Sequence, residues 1–193
     1  FYEPEVLVCR SFPIYEYGKD WDYFLKSSYS LEDDLQELLD VLDEQKEKWN
    51  TLPSVLPVKT DNYWFSSGFG WRKSPFTGLR HFHSGLDISA KRGTPIIATA
   101  DGIVSSVKHE GPLGKTVRIR HNAQYSTVYG HMLKYAVKRG KSVKRGQIIG
   151  YVGNTGRSTG YHVHYEVKKN RKSINPFNYI LNTKKSGTLI ASK

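Results

Sequence analysis

Two periodicities divide this chain. From about Ser30 to Asn50, the apolar residues Leu31, Leu35, Leu38, Leu39, Leu42 and Trp49 recur at the spacing of one helix face. Ser30, with Asp33 three residues on and three acids in the first turn, predicts the helix start, and "TLPSVLP" predicts its stop by Pro53. The helix is amphipathic, so its apolar stripe is expected to dock on another surface. Residues 1–29 are aromatic-rich and predict only an irregular arm.

After about Val58 the pattern shortens to β runs punctuated by glycine, among them "YWFSSGFG", "GLDIS", "TPIIATA", "GIVSSVKH", "KTVRIRH", "YSTVYGHM", "QIIGYVG" and "YHVHYEVK". Strands at roughly ten-residue spacing with turns between them predict a mainly β, compact antiparallel domain. The expected organisation is an acidic arm and helix over 1–56, the β domain over 57–182 and a tail over 183–193. One run poses a question. In "GYHVHYEVKK", His162, His164 and Glu166 share one face, while Val163, Tyr165 and Val167 share the other. The polar face is either wet or occupied, and a single H-x-H pattern does not decide which.

Composition narrows the possibilities. With 193 residues, 13% aromatic and 24% charged, the chain is long enough for a sizeable core and is not of disordered type. No stretch of eighteen apolar residues occurs, so nothing here predicts a membrane span. The first residue is Phe1 rather than Met, which leads us to expect a piece of a longer protein with any anchoring segment outside it. A lone cysteine, Cys9, excludes an internal disulfide and any Cys-based zinc motif. The net charge of +11 is unevenly spread. Residues 1–50 hold thirteen Asp and Glu against five Lys and Arg, whereas residues 51–193 hold five acids against twenty-four bases. Such a basic domain expects an anionic partner, whether nucleic acid, anionic lipid or a wall polymer bearing carboxylates and phosphates.

The remaining histidines turn the H-x-H question toward occupation. "RHFHSGLDIS" places His83 and Asp87 four apart around Ser84-Gly85, and "VYGHML" ends a strand on His131. Two imidazoles and one carboxylate are a standard ligand set for a catalytic zinc that keeps a fourth position open.

"HSGLD", "YGHM" and "GNTGRSTGYHVHYE" stand here in order, with "GTPIIATADGIV" and "VKRGQIIGYVG" between them. In these motifs the chain resembles the M23 zinc metallopeptidases of the lysostaphin and LytM type, over about residues 57–180. The resemblance implies a LytM-type catalytic domain in which His83, Asp87 and His164 bind Zn2+. It places His131 and His162 in the catalytic positions, His162 as base toward a zinc-activated water and His131 as a donor to the oxyanion. It implies hydrolysis of peptide cross-links in peptidoglycan and a cell-envelope location, periplasmic or on the extracellular wall side, with an anchor outside this sequence. Within the family the arrangement is similar to cell-shape endopeptidases of curved Gram-negative bacteria, which suggests a homo- or hetero-dimer with a related subunit through the helix. Tyr161 departs from the proline usual at its position. The rival expectation is a non-catalytic M23-like module that binds wall or activates a hydrolase; such modules lack ligands, and this chain lacks none. A nucleic-acid partner is not expected, because it leaves the histidines unexplained.

Several residues keep a plainer expectation. Glu166 reads either as an acceptor orienting a ligand imidazole or as a solvated carboxylate. His81 reads as a surface histidine, His109 and His121 as structural or exposed, and the glycines of "GNTGRSTG" as a tight turn beside the site.

Overall fold

The structure, a computed structural model, describes residues 17–181. The predicted tail over 183–193 and the first sixteen residues of the arm lie outside the described residues. By its contacts the chain divides into two compact units, 1–46 and 47–193.

The first unit consists, in its described part, of helix α1, which spans Tyr17–Asn50 and continues into the second unit. It begins well before the predicted start, so part of the expected irregular arm is helical. Ser30 lies inside the helix rather than capping it. The physical reason is that a capping signature is permissive: an interior serine costs only about 0.5 kcal/mol relative to alanine, and an already nucleated helix propagates through it. Leu31, Leu35, Leu38, Leu39 and Leu42 are exposed.

The second unit starts with the last turn of α1. The Arg145 guanidinium donates to the carbonyls of Trp49 and Leu52, and the Asp101 N–H donates to that of Asn50 at 2.8 Å. A cation and an amide thus satisfy the carbonyls that a helix end leaves open. The domain that follows is antiparallel β throughout, as the sequence predicts. Its strands are β1 (Tyr63–Ser67), β2 (Gly70–Lys73), β3 (Arg80–His83), β4 (Leu86–Ala90), β5 (Pro95–Ile97), β6 (Gly102–Glu110) and β7 (Gly114–Arg120). They continue as β8 (Tyr125–Gly130), β9 (Met132–Tyr135), β10 (Ser142–Val143), β11 (Ile148–Val152), β12 (His162–Lys169) and β13 (Lys172–Ile174).

The main sheet runs β1-β4-β12-β8-β7-β6-β10, with β13 paired to β12. A smaller sheet, β5-β11-β9, and the β2–β3 hairpin complete the domain. Strand β12 is central, flanked by β4 and β8, and is buried on both faces over His162–Val167. Val163, Tyr165 and Val167 join Phe65, Ile88, Val117 and Ile119 in the core. Each such side chain stabilises the fold by about 1.5–3 kcal/mol on burial. The polar face of β12 is therefore not wet, and something other than water must account for it.

Candidate metal centre

Strand β3 ends on His83, Ser84 and Gly85 turn the chain, and Asp87 follows on β4. Strand β12 lies beside β4 with His164 directly opposite Asp87. This register brings three donor atoms together. His83 Nε2 lies 3.2 Å from Asp87 Oδ1 and 3.1 Å from His164 Nδ1, and the latter is 2.8 Å from Asp87 Oδ1. Among the described residues these three side chains form the one convergent His/Asp group suited to a metal ion. All three are buried.

The second nitrogen of each ligand imidazole is already engaged. His83 Nδ1 donates to the Gly68 carbonyl at 2.6 Å, and His164 Nε2 donates to Glu166 Oε1 at 3.2 Å. Those bonds set the tautomers, leaving lone pairs on His83 Nε2 and His164 Nδ1 that face the Asp87 carboxylate. Three such atoms repel one another unless a proton or a metal ion joins them, and two imidazole nitrogens with one carboxylate oxygen are a donor set that fits a metal. Gly85 permits the approach: a Cβ there would lie 2.5 Å from the Tyr165 carbonyl oxygen and 2.8 Å from His164 Cε1.

Glu166 is buried at 4% exposure and accepts Ser84 Oγ at 2.5 Å as well as the His164 imidazole; Lys168 Nζ lies 3.2 Å away. It is therefore not a solvated carboxylate, and it accepts from the His164 imidazole. Burial raises the Glu166 carboxyl, but the hydrogen bonds from His164 and Ser84 prevail and bring it to about 2. Asp87 is likewise raised by burial and held far below the usual carboxylate range by His164 and His83. Burial alone lowers His164, yet the two carboxylates beside it push it up to about 9. The environment demands positive charge at this point.

His131 and His162 stand next to the donors. Their ring centroids are 4.6 Å apart, and His162 Nε2 is 3.7 Å from Asp87 Oδ1. His131 Nδ1 donates to the Thr155 carbonyl at 2.8 Å, and His162 Nδ1 to that of Gly160 at 2.9 Å. Burial, then in His131 the charge of His162, lowers the His131 imidazole to about 4; burial also lowers His162, against the pull of Asp87. Both rings are neutral near pH 7 with an unprotonated Nε2. His131 has φ 57°, a left-handed conformation uncommon outside glycine and concentrated at functional sites.

All five predicted site residues therefore meet in one place. His81 and His109 are exposed and stay outside the cluster, and His121 is buried elsewhere, bonded to the Asp101 carbonyl and Thr127. The "GNTGRSTG" glycines do form a turn beside the site: Gly156 has φ 74° and packs against Gly114, where a Cβ would lie 2.4 Å from the Gly114 nitrogen. The donors open into a groove walled by Trp64, Trp71, Phe82 and Tyr161. Four permanent cations line it, Arg72, Lys73, Lys91 and Arg157, against one acid, Asp87. Sequence reasoning missed Arg72, whose Nη2 lies 3.3 Å from Asp87 Oδ2. The signal was the hairpin "GWRKSPFTGLRHFH", whose register sets Arg72 opposite His81.

Fold and site together define a metal-binding β domain. Residues 81–176 match the model of peptidase family M23, and the chain belongs to that family. It is 43% identical over 112 residues to a peptidoglycan DD-endopeptidase, ShyB, of Vibrio cholerae, covering 58% of this chain and 26% of that protein. Among solved structures it is similar to a zinc-containing peptidase from Vibrio cholerae, at 38% identity and TM-score 0.58, covering 66% of this chain and 38% of the other. It is also similar to the catalytic domain of the prophage-encoded M23 protein EnpA from Enterococcus faecalis, in a mutant form, at 38% identity and TM-score 0.56. That match covers 64% of this chain and 95% of the EnpA domain. The chain spans about a quarter of the length of the curated relatives it matches.

Proposed function

We propose that this chain is a zinc-dependent endopeptidase that hydrolyses peptide cross-links of peptidoglycan. The observation that carries the reading is the convergence of His83 Nε2, Asp87 Oδ1 and His164 Nδ1 beside two neutral imidazoles. The three donors would hold the ion, which supplies a water of lowered pKa and a Lewis acid for the scissile carbonyl. His162, with its Nε2 free, accepts the proton of the attacking water and returns it to the leaving amine. His131 is bound by its Nδ1 to Thr155, so its neutral ring offers a lone pair and not a donor. It can donate to the developing oxyanion only as an imidazolium carrying a further proton taken up from solvent, separate from the one His162 passes from water to the amine. The non-catalytic alternative is disfavoured because no member of this set is missing.

The groove supports a finer reading of substrate. Its four cations against the single ligand carboxylate favour stem peptides that carry free carboxylates over neutral glycine bridges. The name of the Vibrio relative, a peptidoglycan DD-endopeptidase, points the same way. A cell-envelope location follows from such a substrate. Among the described residues no helix is long and apolar enough to cross a membrane, so an anchor would lie outside them. What supports pairing through α1 is its exposed leucine stripe alone.

Digestion of purified peptidoglycan, with metal analysis of the protein and mass identification of the fragments, tests this. Expected are cross-linked muropeptides converted to monomers, a halt on chelation and recovery with zinc. Intact cross-links after incubation with zinc-loaded protein would exclude the reading.

A further inference from the structure

We propose that Arg72 is a positioning residue of the metal centre: it holds Asp87 Oδ2 and so presents Oδ1 alone to the ion. The inference rests on the metal reading above. In the β2–β3 hairpin Gly70 lies opposite His83 and Arg72 opposite His81. Alternate positions share a face, so Arg72 projects to the same side of the hairpin as His83, and the Trp71 and Phe82 rings pack edge to face at 5.5 Å beside them. The strand that delivers one ligand is thus paired to the strand that steers another.

The two oxygens of Asp87 have different partners. Oδ1 lies 3.2 Å from His83 Nε2 and 2.8 Å from His164 Nδ1, whereas Oδ2 accepts from Arg72 Nη2 at 3.3 Å. The pair is largely out of solvent, with side-chain exposures of 25% for Arg72 and 11% for Asp87. Among the described residues Arg72 is the one permanent cation paired with this carboxylate. A carboxylate freed at Oδ2 can rotate and offer both oxygens to one ion. The second oxygen would then take the position that a catalytic site keeps open for water. A guanidinium bound to Oδ2 prevents this, as partners of ligating carboxylates do in metal sites generally. Lys73 and Lys91 line the same groove without such a contact.

The test compares the full chain with Arg72→Ala and Arg72→Lys, each stripped of metal, titrated with zinc against a chromophoric chelator and separately loaded with cobalt(II). Arg72→Ala should bind zinc about 10- to 100-fold more weakly. Its cobalt visible band should also change in position and intensity, because a second carboxylate oxygen replaces water at the open position. Arg72→Lys, which keeps the charge without the planar fork, should recover part of both. Thermal melts of the stripped proteins separate positioning from misfolding; if Arg72→Ala melts early, the same comparison is made between wild type and Arg72→Gln. Zinc affinity within twofold of wild type, or an unchanged cobalt band, overturns the proposal. A wild-type chain that binds no zinc sinks the metal reading itself and this inference with it, whereas full binding by Arg72→Ala sinks this inference alone.

Discussion

Strand β12 carries a buried polar cluster on each face, and the two are built on opposite terms. On one face Tyr165 joins a closed network in which its hydroxyl donates to Thr99 Oγ1, Thr99 bonds the Tyr129 hydroxyl, and Thr127 links Tyr129 to His121. His121 then donates to the Asp101 carbonyl. Every group there has a protein partner, and hydroxyls can turn to match donor with acceptor. On the other face His83, Asp87 and His164 direct three ligating atoms at one point, all within 4.8 Å of one another, and the carboxylates there draw positive charge onto His164. A buried polar network that closes on itself is structure; one whose ligating atoms converge on a point that calls for a cation is a site.

The largest effect that would test this contrast is removal of a converging donor. His83→Ala, Asp87→Ala or His164→Ala should lose bound metal and lower peptidoglycan hydrolysis by about 10⁴-fold or more, since base and charge stabilisation both depend on a seated ion. Tyr165→Phe, one residue along the same strand, should keep metal and activity at a stability loss of about 1 kcal/mol. Metal content by mass spectrometry and digestion assays on all four proteins check the pair; loss of metal in Tyr165→Phe would end the distinction. Next in size, His162→Ala or His131→Ala should retain the metal and lose about 10² to 10⁴ in kcat. Loss of zinc on His162→Ala with retention on His164→Ala would reverse the two assignments.

The site was more legible in the sequence than the helix was. His83, Asp87, His131, His162 and His164 could be singled out because each lies in a short strand motif beside a glycine, and their division into ligands and catalytic residues came from the resemblance to the M23 family. Glu166 could be placed on the right face but not given a role, since its partner Ser84 is 82 positions away. Arg72 was invisible for a related reason, because only the β2–β3 register carries it to the metal centre. The early start of α1 was missed because local capping chemistry at Ser30 competes weakly with propagation of a helix. Short-range alternation survives folding unchanged; contacts between distant strands do not appear until the strands are paired.

A smaller effect tests the closed face through pH. Burial lowers His121 from 6.5 to about 4, although Asp101 opposes the shift, and Arg145 adds to it. A histidine held neutral in the fold leaves stability intact above pH 6.5. As the pH falls from 6.5 toward 4 the unfolded chain takes up a proton that the folded chain refuses, and stability drops, by up to about 3 kcal/mol for this group. Denaturant melts of metal-free protein at pH 7 and pH 4.5 should show this acid loss, and His121→Gln should show less of it. Equal losses in the two proteins would mean that His121 titrates normally in the fold.

The smallest effect asks how far the converging face depends on support from behind. Glu166 holds the His164 tautomer by accepting Nε2–H, and Ser84 and Lys168 hold Glu166 in turn. Glu166→Gln keeps an acceptor oxygen but removes the charge that raises the basicity of the imidazole. It should therefore weaken zinc binding by about 10-fold, whereas Glu166→Ala, which frees the ring as well, should approach 100-fold. Thr127→Val, on the closed face, removes a hydroxyl with two partners and should destabilise the fold by about 1–3 kcal/mol while leaving zinc affinity at its wild-type value. Zinc competition titrations and thermal melts on these three variants separate the two kinds of loss. If Glu166→Ala binds zinc as tightly as wild type, His164 is oriented by its strand alone, and the carboxylate behind it belongs with the structural network and not with the site.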